Sequence, residues 1–154
     1  MCEASMKPVN ILLVEDDRID AKAFLRAMEA VRINNPVTVA KDGVEAWEAL
    51  TGCNGGEPFP RPNIVVMDIN MPRMSGLELL RRIRADKSLR DLVVFVLTTS
   101  NDDQDKFEAY NLNVAGYMLK SDMANSFVKA VEMIDRFWRV VELPAETSTA
   151  AAAV

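Results

Sequence analysis

Acidic side chains follow directly on apolar runs at two places in this chain. Glu15, Asp16 and Asp17 follow the run that begins at residue 9, and Asp68 ends the run that begins at residue 63. Carboxylates within a few ångströms of one another raise each other's pKa unless a cation neutralises them. Oxygen ligands without histidine or cysteine select a hard ion, so these residues predict a Mg²⁺ site. The alternative is that each acidic residue only caps the following helix, as we expect of Asp17.

A hydroxyl group and an ammonium group follow two further apolar runs. Thr98 ends one of these runs, and Lys120 follows the other. Placed over a metal-bound carboxylate, the two groups would form an anion site suited to phosphoryl oxygens. Each alone has an ordinary interpretation, Thr98 as a strand residue and Lys120 as a surface residue. The agreement of all four positions is the specific signal.

The chain contains no histidine. This excludes a Ser-His-Asp triad, imidazole metal ligation and a histidine phosphotransfer module. Cys2 and Cys53 are too few for a disulfide framework or a zinc site. Any chemistry here must therefore use carboxylates, hydroxyls and lysine.

The elements that must position these groups alternate along the chain. Five short apolar runs rich in β-branched residues predict buried parallel strands: Val9–Glu15, Pro36–Lys41, Asn63–Asp68, Leu92–Thr98 and Ala115–Leu119. Helical spacing follows them in Arg18–Val31, after Asp42-Gly43, after Ser75-Gly76, in Asp103–Tyr110 and in Asp122–Glu142. The alternation predicts one doubly wound α/β domain with a five-stranded parallel sheet. With the strand order 2-1-3-4-5, both acidic groups converge on one cleft, because the winding reverses between strands one and three.

Length and charge limit the classes of protein that remain. We place one domain at residues 9–143, an N-terminal extension at residues 1–8 and a disordered tail at residues 144–154. A net charge of −5 argues against a nucleic-acid surface, and the basic run Arg81–Arg84 is interpreted as a solvated helix face. No apolar run approaches the roughly 20 residues that span a bilayer. Met1–Pro8 lacks the apolar core of a signal peptide. We expect a cytoplasmic protein that binds neither nucleic acid nor membrane.

Taken together, these motifs resemble response-regulator receiver domains over about Val9 to Val141. The matching segments are Ile11–Asp17 (ILLVEDD), Asp42–Ala46 (DGVEA), Val65–Gly76 (VVMDINMPRMSG), Val96–Ser100 (VLTTS) and Gly116–Lys120 (GYMLK). The resemblance implies a flavodoxin-like receiver fold in a two-component signalling protein that is not an enzyme beyond its own phosphorylation and dephosphorylation. Its implied partners are a histidine kinase and a downstream protein or phosphotransfer partner.

The resemblance also assigns roles to individual residues. Asp68 would accept a phosphoryl group from a kinase phosphohistidine and form an aspartyl phosphate. Asp16 and Asp68 would ligate Mg²⁺, and Glu15 would act through a metal-bound water. The backbone carbonyl of Asn70 would be a further ligand. Lys120 would bind the phosphoryl oxygens.

Thr98 and Tyr117 resemble the switch pair of the family. Phosphoryl on Asp68 would draw the Thr98 hydroxyl toward it, and Tyr117 would turn inward. The surface of the fourth helix, the fifth strand and the fifth helix would then change for a partner. The alternative for Tyr117 is a half-buried strand aromatic without a switch role. In one departure, Ser121 follows Lys120 where the family usually has a proline, often in a cis bond.

A narrower resemblance concerns the partner. Five features resemble the small single-domain regulators of phytochrome kinases: the Pro-rich loop before the third strand, Thr99-Ser100, Tyr110-x-Leu112, Lys120-Ser121 and Phe137-Trp138. This implies a bacterial phytochrome as phosphodonor. Phe137 and Val140 fall off the core stripe of the last helix, so we expect both to be exposed. They predict a homodimer built on helix five and adjacent elements.

Three alternatives stay open. One is a receiver-like scaffold that no longer accepts phosphate, although such scaffolds usually lack an acidic ligand, the threonine or the lysine. A hydrolase of the haloacid dehalogenase type would carry a D-x-D motif after the first strand, where this chain has Glu15, Asp16 and Asp17. A flavin-binding relative of flavodoxin would need a hydroxyl-rich phosphate loop there. Turnover of small phosphate esters would indicate the hydrolase.

Overall fold

The structure is a computed structural model that describes residues 8–61, 63–123 and 126–144. The predicted extension at residues 1–8 and the predicted tail at residues 144–154 lie almost entirely outside the described residues. Both therefore stay predictions. Within the described part of the chain, no helix is long enough and apolar enough to cross a bilayer.

Strands and helices alternate as the sequence predicts. The strands are β1 (Asn10–Val14), β2 (Val37–Ala40), β3 (Asn63–Met67), β4 (Val93–Thr98) and β5 (Gly116–Leu119). The helices are α1 (Arg18–Ala30), α2 (Gly43–Thr51), α3 (Gly76–Ala85), α4 (Asp103–Asn111) and α5 (Val128–Val140), with a 3₁₀ turn at Lys120–Met123. All strand pairs are parallel, in the order β2-β1-β3-β4-β5. The doubly wound α/β fold with strand order 2-1-3-4-5 is confirmed.

Helices cover both faces of the sheet. Alternate residues of β3 enter different apolar clusters, because successive side chains of a strand point to opposite faces. Ile64 and Val66 pack with residues of α1 and α5, whereas Val65 and Met67 pack with residues of α2 and α3. All four are at most 1% exposed. Burying such a side chain stabilises the fold by about 1.5–3 kcal/mol, so the central strands form a rigid base for the residues that follow them.

The last helix begins later than predicted. An apolar stripe indicated a helix over Asp122–Glu142, but a 3₁₀ turn ends at Met123 and α5 begins at Val128. The stripe consists of Met123, Phe127, Val131, Ile134, Trp138 and Val141. The Ser126 hydroxyl accepts a hydrogen bond from the Val128 N–H at 3.1 Å, at the start of the helix. Met123 and Phe127 both pack against the same cluster. The stripe is therefore real, but its first member belongs to a different element.

The predicted exposure of Phe137 is wrong. Its ring packs edge-to-face on Phe95, with 5.1 Å between ring centroids and 87° between planes. Phe137 lies three residues after the buried Ile134, so the buried stripe of α5 is wider than the single row assumed from sequence. The predicted exposure of Val140 is confirmed, at 83%.

Arg84 departs from the interpretation of the basic run as a solvated helix face. Arg81 and Arg82 are exposed, but Arg84 is half-buried. Its guanidinium donates to four backbone carbonyls, those of Leu112 (2.7 Å), Arg90 (2.8 Å), Leu92 (2.7 Å) and Asn113 (3.0 Å). Burial lowers the pKa of this guanidinium. Arg84 thereby joins the segment after α4 to the segment before β4.

Candidate functional site

The carboxyl ends of β1 and β3 bring Glu15 and Asp68 together. Val14 and Met67 are register partners, and the Asp68 N–H donates to the Val14 carbonyl at 3.0 Å. Glu15 and Asp68 are buried, at 5% and 6% exposure, whereas Asp16 is exposed. One carboxylate oxygen from each of Glu15, Asp16 and Asp68 lies within 4.8 Å of the others. The structure thus gathers the three acidic residues selected from sequence.

Lys120 reaches the same cleft from the end of β5. Its Nζ lies 2.9 Å from Oδ2 of Asp68 and 2.8 Å from Oε1 of Glu15. A third carboxylate oxygen, Oδ2 of Asp20, lies 2.7 Å away. Burial lowers the pKa of the ammonium, but hydrogen bonds to these three carboxylates outweigh burial and raise the pKa above its ordinary value. Lys120 is therefore a fixed positive charge beside Asp68.

Sequence reasoning did not select Asp20. It lies in the first turn of α1, after Asp17, whose side chain caps the helix by accepting from the N–H groups of Ile19 and Asp20. That cap is as predicted. The sequence held one usable signal, because the first turn of the helix that follows β1 begins beside the acidic residues at the end of that strand.

Glu15 shows how crowded the negative charges are. Burial, the largest influence, raises the pKa of its carboxyl from 4.5 to about 7, and the charge of Asp68 adds to this. The hydrogen bond from Lys120 acts in the opposite direction and does not cancel the rise. One ammonium group is thus insufficient for this cluster. A donor set of carboxylate oxygens that lacks neutralising charge fits a hard divalent cation such as Mg²⁺.

The loop after β3 fixes the orientation of Asp68. The Ile69 N–H donates to Oδ1 of Asp68 at 2.7 Å. The Gly76 N–H donates to the Ile69 carbonyl at 2.8 Å. A Cβ at Gly76 would lie 2.1 Å from the Asp68 carbonyl oxygen, so only glycine permits this approach. Asn70, whose carbonyl is a predicted metal ligand, is exposed in this loop two residues after Asp68.

The same loop is held from α2 as well. Arg73 adopts a positive φ of 67°, and its guanidinium donates two hydrogen bonds to Asp42, at 2.8 and 3.2 Å. Burial raises the pKa of the Asp42 carboxyl, but the bonds from Arg73 and from backbone N–H groups outweigh it and lower the pKa. Asp42 in turn caps α2 through the Glu45 N–H.

Thr98 and Tyr117 lie on the other side of Asp68. Thr98 ends β4, the neighbour of β3, and is fully buried. Its hydroxyl accepts a hydrogen bond from the Ser100 N–H at 3.2 Å, a contact that does not use the hydroxyl proton. The Tyr117 hydroxyl donates to the Ser100 carbonyl at 2.9 Å, and the ring is half-buried. Tyr117 is therefore half-buried and bonded to the loop after β4, which fits its alternative interpretation as a half-buried strand aromatic.

Comparison with known proteins gives a consistent result. The family model described as response regulator receiver domain matches residues 11–132. The response regulator Rcp1 of Synechocystis sp. is 34% identical over 146 residues, which cover 94% of this chain and 99% of that protein. The crystal structure of Mn²⁺-bound Rcp1 has a TM-score of 0.77 at 33% identity and covers 90% of this chain and 100% of its own. The bacteriophytochrome response regulator AtBRR has a TM-score of 0.65 at 33% identity and covers 89% of this chain and 99% of its own.

Proposed function

The chain belongs to the family of response regulator receiver domains, and on that premise we propose that Asp68 accepts a phosphoryl group from the phosphohistidine of a histidine kinase. Receiver domains act with histidine kinases and downstream targets, and they bind Mg²⁺ at an acidic pocket. The observation that carries the proposal is the environment of Asp68. Its carboxylate is buried, lies 2.9 Å from the Lys120 ammonium and shares a cluster with Glu15 and Asp16.

Mg²⁺, when bound, would neutralise charge on the transferring phosphoryl group. Asp16, Asp68 and the backbone carbonyl of Asn70 would hold it, and Glu15 would act through a water molecule. An Asp68 carboxylate oxygen forms the new bond to phosphorus. The phosphorus–nitrogen bond of the phosphohistidine breaks, and its electron pair stays on the imidazole. Lys120 donates to a phosphoryl oxygen.

The signal would then pass from Asp68 to Thr98 and Tyr117. The Thr98 hydroxyl would donate to a phosphoryl oxygen, and that movement would change the loop containing Ser100. The Tyr117 hydroxyl is bonded to the Ser100 carbonyl, so a movement of the loop would be transmitted to Tyr117. The surface of α4, β5 and α5 is the proposed output, either for a downstream protein or for phosphoryl relay.

Intact-mass measurement after incubation with acetyl phosphate and Mg²⁺ tests the acceptor role. We expect one phosphoryl adduct that requires Mg²⁺ and is absent in Asp68→Asn. The matched control is Asp103→Asn, because the Asp103 side chain is fully exposed on α4. If folded protein gives no adduct with acetyl phosphate or with kinases, the phosphate-independent scaffold becomes the better proposal.

We also propose a bacterial phytochrome kinase as the donor. The support is the similarity to Rcp1 and to AtBRR, and also to the phosphorylated cyanobacterial phytochrome response regulator RcpA, at 31% identity and a TM-score of 0.76. RcpA covers 90% of this chain and 100% of its own. Phosphoryl transfer from radiolabelled kinases tests this directly. A phytochrome kinase should label Asp68 faster than a kinase with an unrelated sensor, and equal rates would contradict the proposal.

We also propose a homodimer through α5 and adjacent elements. Phe137 no longer supports it, because its ring packs on Phe95. Its support is the exposure of Val140 on α5 (83%) and of Phe107 on α4 (64%). Sedimentation velocity should show a dimer that Val140→Asp weakens. Val39→Asp on the edge strand β2, at 38% exposure and away from α5, is the control and should have no effect. A wild-type monomer in both phosphorylation states would contradict the dimer.

A further inference from the structure

We propose that Asp20 is a positioning residue that restrains Lys120 and thereby opposes phosphorylation of Asp68. The inference rests on the proposed function. Its starting point is the contact between the Asp20 carboxylate and the Lys120 ammonium, at 2.7 Å the shortest of the three contacts that this ammonium makes with carboxylates. The contact joins residues that are 100 positions apart in sequence.

The hydrogen-bonding capacity of Lys120 is filled. An ammonium group has three N–H donors, and the three carboxylate oxygens of Asp20, Glu15 and Asp68 lie at 2.7, 2.8 and 2.9 Å from Nζ. The side chain of Lys120 is only 8% exposed, so water offers little alternative. A phosphoryl oxygen can therefore accept from Lys120 only if one of these carboxylates gives up its bond.

The three carboxylates are not equivalent in this exchange. Glu15 and Asp68 belong to the cluster that could hold a cation, so a divalent ion compensates them for losing the ammonium. Asp20 lies outside that cluster, and its side chain is 28% exposed, against 5% for Glu15 and 8% for Asp68. It therefore keeps its contact with the Lys120 ammonium when a cation binds to the other two carboxylates.

Phosphorylation rates with acetyl phosphate and Mg²⁺ test the inference. Asp20→Asn should be phosphorylated roughly three- to tenfold faster than wild type, the size of effect expected when one charged hydrogen bond no longer competes. The phosphorylated variant should also persist longer. Asp20→Glu keeps the carboxylate and should behave like wild type. Urea denaturation of each variant verifies that it is folded.

Asp17→Asn is the matched control. It removes one negative charge from the same end of α1, and asparagine caps a helix as well as aspartate does. The Asp17 side chain bonds backbone N–H groups of α1. Its rate should therefore stay close to that of wild type. If Asp17→Asn accelerates phosphorylation as much as Asp20→Asn does, the effect is one of general charge and the inference is wrong.

A double-mutant cycle distinguishes an effect through Lys120 from a direct effect on the donor. In a Lys120→Ala background, Asp20→Asn should give no acceleration. Acceleration that persists in that background would overturn the inference, as would an unchanged or slower rate in the single variant. If wild type and every variant resist phosphorylation, the proposed function fails and the inference fails with it. Phosphorylated wild type with an unaffected Asp20→Asn refutes the inference alone.

Discussion

Gly76→Ala tests how the fold holds Asp68 in place. The added Cβ would lie 2.1 Å from the Asp68 carbonyl oxygen, 2.9 Å from Cα of Ile69 and 3.0 Å from the Asp68 carbonyl carbon. Non-bonded atoms prefer separations of about 3.5 Å, so the loop or the start of α3 must move by about 1 Å. All three neighbours are backbone atoms, and no side-chain rotation can relieve the contact.

The cost follows from two contributions. Forcing an extra methyl group into a packed site costs about 1–3 kcal/mol. Separating α3 from the loop also weakens the bond from the Gly76 N–H to the Ile69 carbonyl, now 2.8 Å, which is worth about 1 kcal/mol. The better helix propensity of alanine offsets up to about 1 kcal/mol. We expect the free energy of unfolding to fall by about 2–3 kcal/mol, together with slower phosphorylation, because Asp68 moves with the loop.

Urea denaturation followed by circular dichroism measures this free energy, and acetyl phosphate labelling measures the rate. The control is Gly56→Ala in a surface loop, where the nearest atom to a new Cβ is Oδ1 of Asn54 at 3.6 Å. That variant should stay within about 0.5 kcal/mol of wild type. If Gly76→Ala is equally mild, the close approach does not hold Asp68, and our account of the loop is refuted.

Two further predictions concern stability. In metal-free protein, the Glu15 carboxyl has a pKa of about 7 in the folded state, against an ordinary value of 4.5. The folded state therefore binds this proton more tightly than the unfolded state does. The free energy of unfolding should fall as the pH rises from about 4.5 to about 7. Urea denaturation with a chelator at about pH 5 and about pH 8 should show this loss of unfolding free energy in wild type and a much smaller loss in Glu15→Gln. Equal losses in the two proteins would contradict the assignment to Glu15. In Arg84→Lys, the ammonium group cannot replace the planar guanidinium that donates to four carbonyls. This variant should lower the free energy of unfolding by about 1–3 kcal/mol. Arg82→Lys, at an exposed position, is the control and should change the free energy of unfolding by less than about 0.5 kcal/mol. Equal losses in the two variants would argue against a role for the Arg84 guanidinium.

The strands and the cluster at their ends were predictable from sequence for a physical reason. A buried parallel strand needs an apolar β-branched run, and such a run is visible without knowledge of its neighbours. Glu15 and Asp68 are defined by where two runs stop, so their meeting follows from the strand order alone. Thr98 and Lys120 follow by the same reasoning.

The features that sequence reasoning missed depend on contacts between distant parts of the chain. Asp20 joins the site because a long lysine side chain reaches across from β5 to α1. Phe137 is covered because of how α5 lies on Phe95, which no periodicity within the helix reports. The late start of α5 has the same origin, since Met123 and Phe127 share a core cluster while belonging to different elements.

The four carbonyl bonds of Arg84 have a mechanical consequence. They anchor Leu112 and Asn113, the residues directly after α4, to the segment before β4. The opposite end of α4 follows the loop of Ser100, which Tyr117 contacts. A displacement that begins at this loop would therefore move the first turn of α4 most, because Arg84 holds the residues after the helix and Arg81 holds Glu108 near its middle. Phe107 precedes Glu108 and lies about 6 Å along the axis from the last residue of α4 at 1.5 Å per residue, so it would move farther than Tyr110, which follows Glu108.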